Sequence, residues 1–145
     1  MLRTDQELAL DDVTEASKYA VDQFEKLAEM PQEPTLCDLI KDFGNAHRRH
    51  VSRLEETVRR MGNLPSAPDP DREAFSRLAT RVKAALAEDR DRVVAESCSE
   101  IETRIIDAVH QARKKDLSDD IRSLLADIGE DCGKMLQRLE DYLQS

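Results

Sequence analysis

Tryptophan is absent from this 145-residue chain and aromatic residues make up only 3% of it. A core built without large rings suits Leu, Ile, Val and Ala packed between amphipathic helices, and a β-rich fold is not expected. Cysteine is scarce too. Cys37, Cys98 and Cys132 are odd in number and lack C-x-x-C spacing, which argues against a disulfide framework or a structural zinc site and points to reduced, buried thiols. No stretch approaches the roughly 18 apolar residues of a membrane span. The opening MLRTDQELALDD has no basic-then-apolar run, so no leader is expected and the location expected is cytoplasmic. Glycine-rich phosphate loops, H-E-x-x-H and nucleotide fingerprints are all missing.

What is present is charge and periodicity. Charged residues make up 37% and the net charge is −9, so a nucleic-acid backbone or an anionic membrane would be repelled. The short basic pairs Arg48/Arg49, Arg59/Arg60 and Lys114/Lys115 sit beside acids and read as solvated surface. At this length one domain is expected, burying roughly two thirds of its unfolded surface.

All five prolines fall in two clusters, Pro31/Pro34 and Pro65/Pro68/Pro70. Proline rarely survives inside a helix, so the clusters mark joints between helical segments. Val13, Ser17, Ala20, Phe24 and Leu27 recur at alternating threes and fours and predict a helix over about 6–29. Leu36, Ile40, Phe43, His47, His50, Leu54, Val58 and Met61 continue that spacing over 35–61, to a C-terminal Gly62 suited to a left-handed cap. A loop over 63–71 should lead to a helix over 71–87 carrying Phe75, Leu78, Val82, Ala85 and Leu86.

The polar run Glu88 to Arg92 then interrupts the stripe, and a bend near Glu88 is expected rather than one continuous helix. Val94, Cys98, Ile101, Ile105, Ala108 and Ala112 predict a helix over 90–114. Ile121, Leu125, Ile128, Cys132, Met135, Leu139 and Tyr142 predict the last, over 118–143, with Ser118 as N-cap. Two short joints and one long crossover imply an all-α, ferritin-like up-down-down-up four-helix bundle with an extra helix in the crossover. Gly44, Gly129 and Gly133 fall inside helices, where close approach of neighbours is the simplest explanation.

The run Ala84-Ala85-Leu86, then Val94, then Glu96-x-Cys98-x-x-x-Glu102, resembles a bacterial family of ferritin-like four-helix-bundle proteins of unknown function. The resemblance extends loosely from about Leu10 to Leu143 and implies the bundle fold without an activity. The family's second helix tends to carry an acid near the position of Ala46, which this chain lacks.

One constellation carries chemistry. His47 and His50 lie on an apolar stripe, and counting register from the joints sets Glu102 and Asp131 at their height, with Glu15 or Ser17 nearby. A di-iron carboxylate site needs two lone glutamates and two E-x-x-H pairs, and that set is absent. Asp107-x-x-His110 has the spacing but lies off the stripe. A mononuclear site of His47, His50, Glu102 and Asp131, suited to iron, manganese or zinc, is one reading; two histidines hydrogen-bonded in the core is the other. Cys98 and Cys132 on facing helices could add a soft ligand or a redox pair, core thiols being commoner.

Two functions follow. The first is a non-enzymatic bundle with no cofactor that acts by self-association, as a homodimer, or by binding a protein partner, with Leu8, Leu10, Ala79 and Ile106 as exposed apolar area. The second is a degenerate metal-binding relative of ferritin-like proteins. The incomplete ligand set favours the first.

Overall fold

A computed structural model describes residues 4–62, 72–85 and 88–145, with the side chains of residues 72–76 excepted. The described chain is an all-helical bundle of α1 (Asp5–Leu27), α2 (Pro34–Arg60), α3 (Arg72–Ala84), α4 (Arg90–Ala112) and α5 (Asp119–Gln144). The expected loop over 63–71, with Pro65, Pro68 and Pro70, lies outside the described residues, as do Leu86 and the side chain of Phe75.

Local chemistry sets the helix ends. The Thr4 hydroxyl accepts from the Glu7 N–H at 3.2 Å and opens α1, with Asp5 and Glu7 in the first turn. Pro34 occupies the first turn of α2, where its missing N–H costs no hydrogen bond. The cap of α2 comes from another helix: the Asp91 carboxylate of α4 accepts from the Gln32 and Glu33 N–H groups at 2.8 and 2.9 Å. Gly62 ends α2 at φ 82°, a conformation open to glycine because it has no Cβ. Ser118 stands at the N-cap of α5 with extended backbone, but its side chain makes no capping bond. Its N–H donates instead to Gln6 Oε1 at 2.5 Å.

Cross-helix partners fix the directions. Phe24 meets Gly44 while Lys18 pairs with Glu55, so α1 and α2 run antiparallel. Arg138 stacks over Phe43 while Arg53 pairs with Asp127, so α2 and α5 are antiparallel as well. From Asp91 against Gln32 and Glu33 the chain advances to Glu102 against His47, so α2 and α4 point the same way. Helix α3 packs on α4, with Arg81 donating to the Ser97 hydroxyl at 2.6 Å. A single helix from 71 to 114 does not form, since residues 85, 88 and 89 are non-helical.

The core holds Leu10, Val13, Ala20, Phe24 and Leu27 from α1, Leu36, Ile40, Phe43 and Leu54 from α2, and Val94, Cys98 and Ile105 from α4. Leu125, Ile128, Cys132 and Leu139 complete it from α5. Leu10, expected to be exposed, is fully buried. Its helix packs against both α2 and α4, so the apolar face of α1 is wide enough to take Ala9 and Leu10 together. Cys37, expected to be buried, is half-buried in the first turns of α2, its thiol donating to the Pro31 carbonyl at 3.4 Å. Gly129 fits the close-approach explanation, because an added Cβ would meet Val109 Cγ1 at 3.2 Å. Gly133 does not, since nothing lies within 4 Å of the same position there.

Candidate metal centre

Helix α2 advances nearly one turn between His47 and His50, so both rings enter the core from the same face. His47 is fully buried and His50 is 3% exposed. Their rings meet edge to face with centroids 5.8 Å apart, and Phe24 closes the layer from α1, 5.2 Å from the His47 ring. Each histidine faces a carboxylate on a different helix. His47 Nε2 lies 2.5 Å from Glu102 Oε1 on α4, and His50 Nε2 lies 3.0 Å from Asp131 Oδ2 on α5.

The two carboxylates differ in surroundings. Glu102 is fully buried, and transferring a carboxylate from water to such a site costs several kcal/mol unless it is paired. One oxygen has His47; the other, Oε2, makes no well-formed hydrogen bond, the nearby donor being the Cys132 thiol. The Asp131 side chain is 53% exposed and connects the layer to solvent. Because a carboxylate only accepts, the ring hydrogen sits on Nε2 in both histidines, and a neutral ring then presents a bare lone pair at Nδ1. Both Nδ1 atoms are buried without a protein partner.

Burial dominates the acid–base character. It holds the His50 pKa below the ordinary 6.5, against the opposing hydrogen bond and charge of Asp131, so the neutral ring is favoured. Burial also pushes the Cys132 and Cys98 thiols well above their usual range; the Glu102 charge acts in the same direction on both, and on Cys132 so do a side-chain hydrogen bond to Glu102 and the Asp131 charge.

All four residues expected at this height therefore meet, as two histidine–carboxylate pairs on three helices. Ser17 is buried in α1, but its hydroxyl has no hydrogen-bond partner, and Glu15 lies on the exposed face. Asp107 and His110 are exposed, away from the layer. Cys132 occupies a closer place than sequence reasoning gave it. Its sulfur and one nitrogen from each of His47 and His50 all lie within 4.8 Å of one another, the one such convergent set among the described residues. The signal was its seat on the α5 stripe beside Asp131, which cannot by itself distinguish a ligand from a core thiol.

An all-helical domain with a buried histidine–carboxylate layer is the class that fold and site define. Residues 5–115 match the family described as Domain of unknown function (DUF2383), and the chain belongs to that family. The fold is similar to a conserved hypothetical protein, rv2844, from Mycobacterium tuberculosis, at TM-score 0.79 and 15% identity over 97% of this chain and 92% of that one. It is similar to a DUF305 fragment from Deinococcus radiodurans, at TM-score 0.79 and 14% identity over 98% and 97%. YcfI from Rhodopseudomonas palustris matches at TM-score 0.77 and 16% identity over 95% and 94%. These likenesses concern the fold alone. No curated protein matches the chain.

Proposed function

We propose that the chain is a ferritin-like bundle, its four long helices running up, down, down and up, that holds one divalent transition-metal ion in the layer of His47, His50, Glu102 and Asp131. Iron, manganese and zinc are the ions this donor set suits. The observation that carries the reading is the coincidence, in one buried layer, of three polar atoms without a well-formed hydrogen bond: Nδ1 of His47, Nδ1 of His50 and Oε2 of Glu102. Left unmade, each such bond costs about 1–3 kcal/mol, against a domain stability of only about 5–15 kcal/mol. Each is an electron-pair donor, the kind of group that takes a cation, and one nitrogen of each ring lies with the Cys132 sulfur inside 4.8 Å.

One ion is favoured over two. Two hard cations need several bridging carboxylates, and the layer has one buried carboxylate and one at its rim. Asp131, half in solvent and hydrogen-bonded to His50, offers an incoming cation its first charged contact. Action through an exposed apolar face has less to support it. Leu10 is in the core, Ile106 and Ala79 are partly covered, and Leu8 is the large apolar side chain left exposed among the described residues.

The test is metal content in protein prepared without a histidine tag or chelator, followed by anaerobic titration with iron(II), manganese(II) and zinc. Near-stoichiometric metal is expected in the wild type and none in the double variant His47→Gln/His50→Gln, whose helicity is checked by circular dichroism. A wild-type protein that carries no metal and takes up none of the three ions would refute the reading.

A further inference from the structure

We infer that Cys132 supplies a thiolate to the bound ion, so that His47, His50 and Cys132 form the ligand set, Glu102 and Asp131 orient the two rings, and the ion held is zinc. This rests on the reading that the layer holds a metal. It goes further by assigning the ligands and the ion.

The geometry separates the cluster into two kinds of residue. The convergent atoms belong to His47, His50 and Cys132. Glu102 and Asp131 hydrogen-bond to Nε2 of the two rings. A histidine that binds a metal through one nitrogen usually gives the other N–H to a carboxylate, which fixes the ring and raises the basicity of the ligating nitrogen. Both histidines give Nε2 to a carboxylate and keep an unpartnered Nδ1, which is the nitrogen the proposed ion would take. Ligand atoms around tetrahedral zinc lie roughly 3.3–3.8 Å apart, given Zn–N near 2.0–2.1 Å and Zn–S near 2.3 Å. One nitrogen of each ring and the Cys132 sulfur already lie within 4.8 Å of one another, so side-chain rotation is what the set needs to close on an ion.

Charge points the same way. A divalent ion buried in a helical core needs two negative charges close by. Glu102 is the one fully buried carboxylate of the layer, and a Cys132 thiolate provides the second charge. On binding, the S–H bond breaks, its electron pair forms the bond to the metal and the proton passes to solvent. Thiolate is a soft donor that favours zinc over manganese. Cys98, equally buried on α4, lies outside the convergent set and serves as the internal control.

The experiment titrates the reduced, metal-free protein with cobalt(II) without oxygen and reads the thiolate-to-cobalt charge-transfer band in the near ultraviolet. The band should saturate at one equivalent and vanish when one equivalent of zinc is added. It should be missing from Cys132→Ser and Cys132→Ala and retained in Cys98→Ser, while Glu102→Gln keeps the band with affinity weakened roughly 10–100-fold. Cobalt bound by the wild type without the band would overturn the thiolate assignment and leave the metal reading standing. A band that survives in Cys132→Ser and is lost in Cys98→Ser would also overturn it. No uptake of cobalt or zinc by the wild type would overturn the zinc and thiolate assignment, and the metal reading would fall with it only if iron(II) and manganese(II) are refused as well.

Discussion

Replacing His47 by Leu and Glu102 by Met, singly and together, separates what the buried pair contributes to stability from what it is kept for. Both side chains are fully buried and 2.5 Å apart. In metal-free protein, His47→Leu leaves the Glu102 carboxylate in the core without its partner, a change that costs about 3–5 kcal/mol. Glu102→Met leaves a buried ring N–H without an acceptor, at about 1–3 kcal/mol. In the double variant both polar groups are gone and two apolar side chains of similar size remain beside Phe24, so the result should be close to neutral or more stable by about 1–4 kcal/mol. At about 2–4 °C per kcal/mol for a chain near this size, His47→Leu should lower Tm by roughly 6–20 °C. The double variant should restore it. Thermal and urea unfolding of the metal-free proteins read the cycle, and neighbours in contact should be strongly non-additive. If the double variant loses as much as the two single variants combined, the groups act independently and the argument from a coupled buried pair fails.

Other expectations follow from particular residues. In native protein Cys37, half-buried, should react with a thiol reagent well before Cys98 and Cys132, which should react only on unfolding; native labelling of Cys132 at the rate of Cys37 would contradict its burial. The Tyr142 hydroxyl donates to Glu33 Oε2 at 2.7 Å, and burial first, then that bond and the charges of Glu33 and Asp91, raise its pKa. The fold thus favours the protonated phenol. Its contribution to stability is complete below the unfolded value of about 10 and is lost as pH rises toward the folded one. Glu33→Gln should move the ultraviolet titration of this tyrosine downward, and an unmoved curve would refute the assignment. Gly133→Ala places a Cβ in open space and should stabilise by about 1 kcal/mol through helix propensity, whereas Gly129→Ala presses on Val109 and should gain less or lose. Equal shifts in Tm for the two would refute this.

Much of the architecture is legible in the spacing of apolar residues, because each long helix buries a stripe. The start of α4 at Arg90 is where the sequence reading set it, and the other ends of α1, α2, α4 and α5 are displaced by one or two residues, a range over which capping rather than periodicity decides. Asp91 capping α2 could not be seen, since it stands 58 residues from Glu33 and is recruited only when α2 and α4 align. The breadth of the α1 core face was also hidden. Periodicity locates the centre of a stripe and not its width, so Leu10 read as surface while the helix that buries it packs on two neighbours.

For the site, register counting placed Glu102 and Asp131 at the height of the histidines because the joints fix the relative shift of the helices. Whether Asp131 or its neighbour Cys132 faces the histidines more closely is a question of rotation about α5. Adjacent residues differ by about 100° around a helix, and only the packed side chains decide between them. The structure sets Asp131 half in solvent behind His50 and Cys132 fully inside.

The most direct test of the central claim is calorimetric titration of the metal-free, reduced wild-type protein with zinc, with His47→Gln/His50→Gln beside it. Saturation at one ion per chain in the wild type, absent from the variant, is the expected result. A flat titration of a folded wild-type protein with zinc, and again with iron(II) and manganese(II), would contradict it, and His47, His50, Glu102 and Asp131 would then be a hydrogen-bonded polar layer of the core.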